Sequence, residues 1–348
     1  MAYSTIDKSS DYMNTVLYSG NGTTQSITGV GFQPDMVWAK ARAGSVNHAL
    51  VDAVRGATNQ LRPNDTNDEY TGGFVSFNAD GFSLNNNWNE NNNGVNYASW
   101  NWLAGTSHSG ATTGSGTAKT YTASVNTTSG ISITKYVGNG TAGHTIPHNL
   151  GVKPAFILFK NLDDDTTNWQ GYHKSLGATK TFKLNSTDAQ GTSASISNDT
   201  EPTTSVFTLG SGGDSNANDQ NHIAYCFADV AGYSKFSSYK GNNNADGTFV
   251  YTGFKPAFLM IKYTGSGQNW IIVDNKRPGY NLISAADSQN LRPNTSDSEQ
   301  TSNGIDLLSN GFKCRSSDGD SNGYTTNYIY MAFGQPIISN SGVSATAR

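Results

Sequence analysis

Large apolar side chains alternate with smaller or polar ones through Tyr97-Ala98-Ser99-Trp100-Asn101-Trp102. The alternation returns in His222-Ile223-Ala224-Tyr225-Cys226-Phe227 and in Tyr328-Ile329-Tyr330-Met331-Ala332-Phe333. A period of two marks a strand whose two faces meet different surroundings. Trp100 with Trp102, Tyr225 with Phe227 and Met331 with Phe333 are therefore predicted to form one core face. Uninterrupted apolar runs near Trp38, Leu158 and Met260 predict strands buried on both sides.

These strands belong to a threefold repeat. Each unit opens with an aromatic strand that enters a Gly-Asn turn: Leu17-Tyr18-Ser19-Gly20-Asn21-Gly22, Lys135-Tyr136-Val137-Gly138-Asn139-Gly140 and Ser238-Tyr239-Lys240-Gly241-Asn242-Asn243. A Gly-x-x-Pro signal follows at Gly31 to Pro34, Gly151 to Pro154 and Gly253 to Pro256, each leading to an apolar strand that ends in Lys40, Lys160 or Lys262. Asn47-His48, Asn168-Trp169 and Asn269-Trp270 precede the next strand. Asp52 with Arg55 recurs as Asp274 with Arg277, and Leu61-Arg62-Pro63-Asn64 as Leu291-Arg292-Pro293-Asn294, with Glu69 and Glu299 at the same offset. Unit two has His173 in place of the aspartate and lacks the Arg-Pro.

A period of about 100–120 residues is too long for a solenoid rung or a propeller blade. Short strands separated by turn signals within each unit predict an all-β chain of three tandem β-sandwich modules, jelly-roll or concanavalin-like. The expected division is an N-terminal arm at 1–12, units at 13–105, 131–232 and 233–335, and a C-terminal tail at 336–348. Residues 106–130 are mostly Gly, Ser and Thr and are expected to be a flexible or extended linker. Units two and three have no linker, which lets them pack as a pair.

Composition narrows the class further. Only 14% of the 348 residues are charged, 38 are Gly, roughly one in nine is Asn, and Glu occurs four times. That excludes a coiled coil or helical bundle, while 11% aromatics exclude disorder. A net charge of −4 without a basic cluster gives no footprint for nucleic acid. No apolar run reaches the ~20 residues of a membrane span, and the first residues lack the apolar middle of a signal peptide. Cys226 and Cys314 fall in apolar strand patterns and are expected as buried thiols, fitting a chain folded in a reducing cytoplasm.

The Gly-Phe-x-Pro strands, the stretch from Asn47 to Gly56, Asp80-Gly81-Phe82-Ser83-Leu84, residues 97–102, Gly232-Tyr233-Ser234-Lys235-Phe236 and the Ala345-Thr346-Ala347-Arg348 end resemble a module of tailed-bacteriophage structural proteins common in marine phages. The resemblance covers nearly the whole chain. It implies a non-enzymatic virion component, a tail fibre, adhesin or head-decoration protein, made in the host cytoplasm and assembled with other virion proteins. A homo-oligomer, a trimer, is the expected assembly, because symmetric closure protects sheet edges. A lectin module for host-surface glycan is the alternative function, and a tail-borne polysaccharide depolymerase a further one.

Several residues are candidates for chemistry. Asp318-Gly319-Asp320-Ser321-Asn322-Gly323 opens like a calcium loop, with Asp318, Asp320 and Asn322 as the oxygen ligands, though Ile329 stands where an EF-hand needs Glu. The same residue types make turns. Trp88, Tyr324 and Asn322 pair aromatic faces with amides, as a glycan site or a subunit interface requires. Asp52 with Arg55 and Asp274 with Arg277 read either as an acid beside a substrate-binding arginine or as a strand-end ion pair. His144 and His148 have the spacing of a helical zinc pair, but Pro147 between them spoils a helix. No catalytic residue and no firm cofactor follow from these patterns.

Overall fold

The computed structural model describes residues 4–86, 89–277 and 289–338. Its strands run from Met13–Ser19 to Asn327–Pro336, and the only helices among the described residues are a turn or so long. The chain is all-β, in several sheets.

One strand order recurs along the chain. Met13–Ser19, Asn96–Trp102, Met36–Ala41 and Ala49–Asp52 lie side by side, all antiparallel. Ile131–Val137, Asn221–Phe227, Phe156–Asn161 and Gln170–His173 repeat that order. So do Ser234–Lys240, Asn327–Pro336, Phe254–Tyr263 and Trp270–Asp274. Pro34 and Pro154 stand just before their strands, while Pro256 sits at a register shift within Phe254–Tyr263. In all three places the missing N–H costs no ladder bond.

Both faces of these four-stranded arrays are covered. The outward faces pack on small three-stranded sheets: Val37, Val51, Phe82 and Leu84 form such a cluster in unit one. Phe159, Phe207 and Leu209 do so in unit two, with Ile261, Phe312 and Cys314 in unit three. The inward faces meet one another. Trp38, Trp100 and Trp102 of unit one, Leu158, Tyr225 and Phe227 of unit two, and Phe258, Met260, Met331 and Phe333 of unit three share one apolar cluster. The Trp102 ring is edge-on to Phe227, Phe258 and Phe333, with centroids 6.4, 5.5 and 6.0 Å away. The alternating residues thus form one core face as the pattern predicts, but the face is common to all three units. Burying each such ring contributes roughly 1.5–3 kcal/mol.

The units close in a ring. The N–H of Glu69 donates to the carbonyl of Leu162, that of Gln190 to Thr264, and that of Glu299 to Arg42. Each links one unit to the strand end of the next, and the third returns to the first. Residues 4–12 complete the closure: Ile6 enters the shared core, and Gln335 accepts from the Ser9 N–H at 3.0 Å and donates to the Asp7 carbonyl at 2.6 Å.

Two sequence expectations change. Residues 106–130 are not a loose linker: Thr106–Ala111 and Thr120–Asn126 pair with each other and extend the sheet of unit two through Ile131–Val137. Their Ser and Thr alternate across the strands, a pattern that composition alone reads as a linker. Units two and three do not pack as a separate pair, because all three units contribute to the same core. Cys226 and Cys314 are buried free thiols.

Removing the Trp102 ring opens a cavity in a core that three units share. Trp102→Ala is expected to lower the unfolding free energy by about 3–5 kcal/mol, measured by denaturant titration. A loss below about 1 kcal/mol would contradict the role assigned to this core.

Candidate functional sites at the seams and loops

Where strand Ala49–Asp52 ends, Asp52 faces the neighbouring unit. Its carboxylate accepts from Arg55 Nε at 2.6 Å and from the Tyr225 hydroxyl of unit two at 2.7 Å. Arg55 also reaches Glu69 at 2.9 Å. The third unit repeats the device against the first: Asp274 accepts from Arg277 Nε at 2.7 Å and from Trp100 Nε1 at 3.0 Å, and Arg277 pairs with Glu299 at 3.0 Å. Burial alone would raise the Asp274 pKa, but Arg277, Trp100 and the Arg277 N–H hold it below the usual carboxylate value.

At the remaining seam, position 331 is Met, which offers no polar side chain. His173 replaces the aspartate, and its Nε2 meets the Tyr330 carbonyl at 3.2 Å. Its Nδ1 accepts the Ser175 N–H, so the Nε2 proton donates to that carbonyl. Leu176, at the place of the arginine, packs on the shared core. The Asp–Arg pairs are thus structural ties between units, with their carboxylates committed to buried donors.

A second set of ties runs beside the first. Trp169 Nε1 donates to the Arg62 carbonyl at 2.9 Å and Trp270 Nε1 to that of Lys183 at 2.9 Å. At the equivalent place, His48 Nδ1 accepts from Trp38 Nε1 at 2.9 Å, which leaves its Nε2 to donate to the Arg292 carbonyl at 3.0 Å. The strand-ending lysines are buried here too. Lys40 caps the Ala41 carbonyl, Lys160 those of Asp164 and Thr167, and Lys262 those of Tyr263 and Gly265. Burial pushes the pKa of each down to about 8.

The Asn-rich loops contain another repeated device. Asn91, Asn216 and Asn322 are each fully buried, and each accepts the N–H that follows a turn glycine, of Asn21, Asn139 and Asn242. Their amide nitrogens donate to carbonyls on both sides, for Asn322 those of Asn244 and Ser316 at 2.8 and 2.9 Å. Stacked rings brace the same loops: Tyr18 on Tyr97, Tyr136 on His222 and Tyr239 on Tyr328.

The calcium-loop candidates take their places within this scheme. Asp318 accepts the Asp320 N–H at 2.9 Å, while Asp320 accepts the Asn269 N–H at 2.7 Å and pairs with Arg292 at 3.2 Å. Asn322 points into the turn it holds. The three side chains serve different partners, and among the described residues no group of three or more His, Cys, Asp or Glu gathers as a metal site. Because Asn322 is buried, it presents nothing to a glycan. Tyr324 is exposed and stacks on Tyr263 at 4.3 Å, with Gln268 donating to its hydroxyl at 3.0 Å. Trp88 lies outside the described residues. His144 and His148 bind separate neighbours, Asn139 and Thr203.

A further feature lies at the seam between units one and two. A cleft of about 400 Å³ separates Asp35, Ala53 and Val54 of unit one from the hairpin 106–126 of unit two. Nothing in the residue pattern pointed to it, because the hairpin that forms its wall reads as a linker.

A family model for a domain of unknown function, DUF7483, matches residues 8–336, the whole three-unit body. The chain belongs to the DUF7483 family. No curated protein and no solved structure matches it. In this DUF7483 chain, no helix among the described residues is long and apolar enough to cross a membrane.

The seam histidines generate a pH dependence. Burial lowers the His173 pKa to about 4, so the folded state stays neutral where the unfolded chain, near 6.5, binds a proton. Stability contributed by His173 is present above pH 6.5 and is lost as pH falls towards 4, by about 1.4 kcal/mol per pH unit. His173→Gln is expected to flatten the pH dependence of unfolding over that window by this amount. Equal slopes in variant and parent would show that His173 titrates alike in both states.

Proposed function

We propose that this chain is a non-enzymatic structural protein of a bacteriophage particle, made of three tandem jelly-roll or concanavalin-like sandwiches and exposed as a fibre, adhesin or head-decoration component. The observation that carries the reading is the closed ring of seams, two tied by buried ion pairs and the third by a histidine. Buried charges, which elsewhere form catalytic sites, hold units together here, and the loops that remain outside are polar. A glycosidase requires two carboxyl groups facing across a cleft; among the described residues that line the cleft above, Asp35 is the one carboxylic acid. The resemblance of the repeated motifs to phage structural modules supports a place on a virion.

A homotrimer is expected for the protection of sheet edges, yet this chain already closes three units within itself. That favours a single chain as the piece that fills a threefold role. Attachment to the host surface remains the activity of the exposed component, with the particle's other proteins as its partners.

Mass spectrometry of gradient-purified particles, with labelling by a specific antibody in electron micrographs, tests the proposal. The chain is expected in the particle at fixed copy number and accessible to antibody. Recovery of the protein only in the particle-free fraction of the lysate would overturn it.

A further inference from the structure

The threefold repeat supplies its own controls, since a feature needed for folding recurs and a feature with another purpose need not. Asp35 follows Pro34, and the positions after Pro154 and Pro256 are Ala155 and Ala257. The hairpin 106–126 likewise has no counterpart among the described strands of units one and three. These two departures meet. Asp35 accepts from the Ala104 N–H at 3.0 Å and from Ser124 Oγ at 3.2 Å, pinning the hairpin over unit one. Burial raises the Asp35 pKa.

The pinned hairpin walls the cleft of about 400 Å³, and a second hollow of about 250 Å³ adjoins it, the two sharing Val54 and Thr122. Their combined extent falls in the range of ~300–1,000 Å³ typical of small-molecule sites. The first part offers Ser107, His108, Ser109 and Thr122, none of whose side chains has a hydrogen-bond partner within the described chain. The second offers Lys135, whose ammonium is likewise unpaired. Ser109, Thr122 and Lys135 are neighbours on successive strands, which sets the exposed hydroxyls in a row beside the ammonium. Hydroxyls both donate and accept, which matches sugar hydroxyls, and an ammonium receives a carboxylate as a point charge.

We infer that this cleft binds an acidic oligosaccharide, its hydroxyls against Ser107, Ser109 and Thr122 and a carboxylate at Lys135. Val54 gives the C–H face of the chain an apolar contact, and Asp35 is a positioning residue that holds the wall. The inference rests on the attachment reading for its biological sense alone, because binding by the purified chain is measured without particles.

Isothermal titration of the full chain with galacturonic and glucuronic acid tetrasaccharides tests it, using their methyl esters as uncharged counterparts. At least one acidic tetrasaccharide is expected to bind, with the ester at least fivefold weaker. Lys135→Gln should weaken the acid at least fivefold and bring acid and ester together. Ser109→Ala with Thr122→Val should weaken both, while melting curves of all variants stay with the parent. No binding of either acid would overturn the inference, as would affinities unchanged in both variants. Acid binding that Lys135→Gln abolishes but the hydroxyl variant leaves intact would also overturn it, leaving a bare ion pair.

Discussion

Everything in this molecule depends on a second apolar face. A four-stranded sheet that packs on one small partner sheet can leave its other side to water; these cannot. Trp100, Trp102, Tyr225, Phe227, Met331 and Phe333 all point away from the partner sheet, and the other two units, with Ile6 of the arm, cover them. A surface of that size would be an aggregation hazard if exposed. Three faces closing on one another remove it from water within a single chain.

The seams follow from that closure. Heterologous contacts make a ring only if the rotation returns to its starting point, and here the bonds from Glu69, Gln190 and Glu299 show that it does. Polar strand ends are drawn into the dry zone and must be satisfied there. Removing one partner of a buried ion pair costs about 3–5 kcal/mol because the other is stranded, so Asp52, Arg55 and Tyr225 form a set. Unit two illustrates the rule by exception: Met331 cannot donate, so the facing residue is a histidine that donates to the neighbouring backbone instead.

Much of this is legible in the sequence. The repeat, its strands, their doubly buried runs and the strand-end pairing of Asp52 with Arg55 follow from spacing and periodicity. What spacing does not carry is the partner across a seam: nothing local to Asp274 says that Trp100, far along the chain, donates to it. The burial of Asn322 is likewise not carried by spacing. Asn-rich turns look alike whether the amide faces solvent or fills its own loop, and only the recurrence of Asn91, Asn216 and Asn322 at one offset signals the second. The hairpin 106–126 was masked by composition, since Ser, Thr and Gly serve edge strands as readily as linkers.

The central claim is that the three units are one cooperative body. Differential scanning calorimetry of the full chain tests it most directly, by comparing the measured enthalpy with that implied by the sharpness of the transition. A shared core and three closed seams predict a single transition with a ratio near one. Two or three separable transitions, or a calorimetric enthalpy well above the van't Hoff value, would mean that the units fold independently and that the common core does not govern the structure.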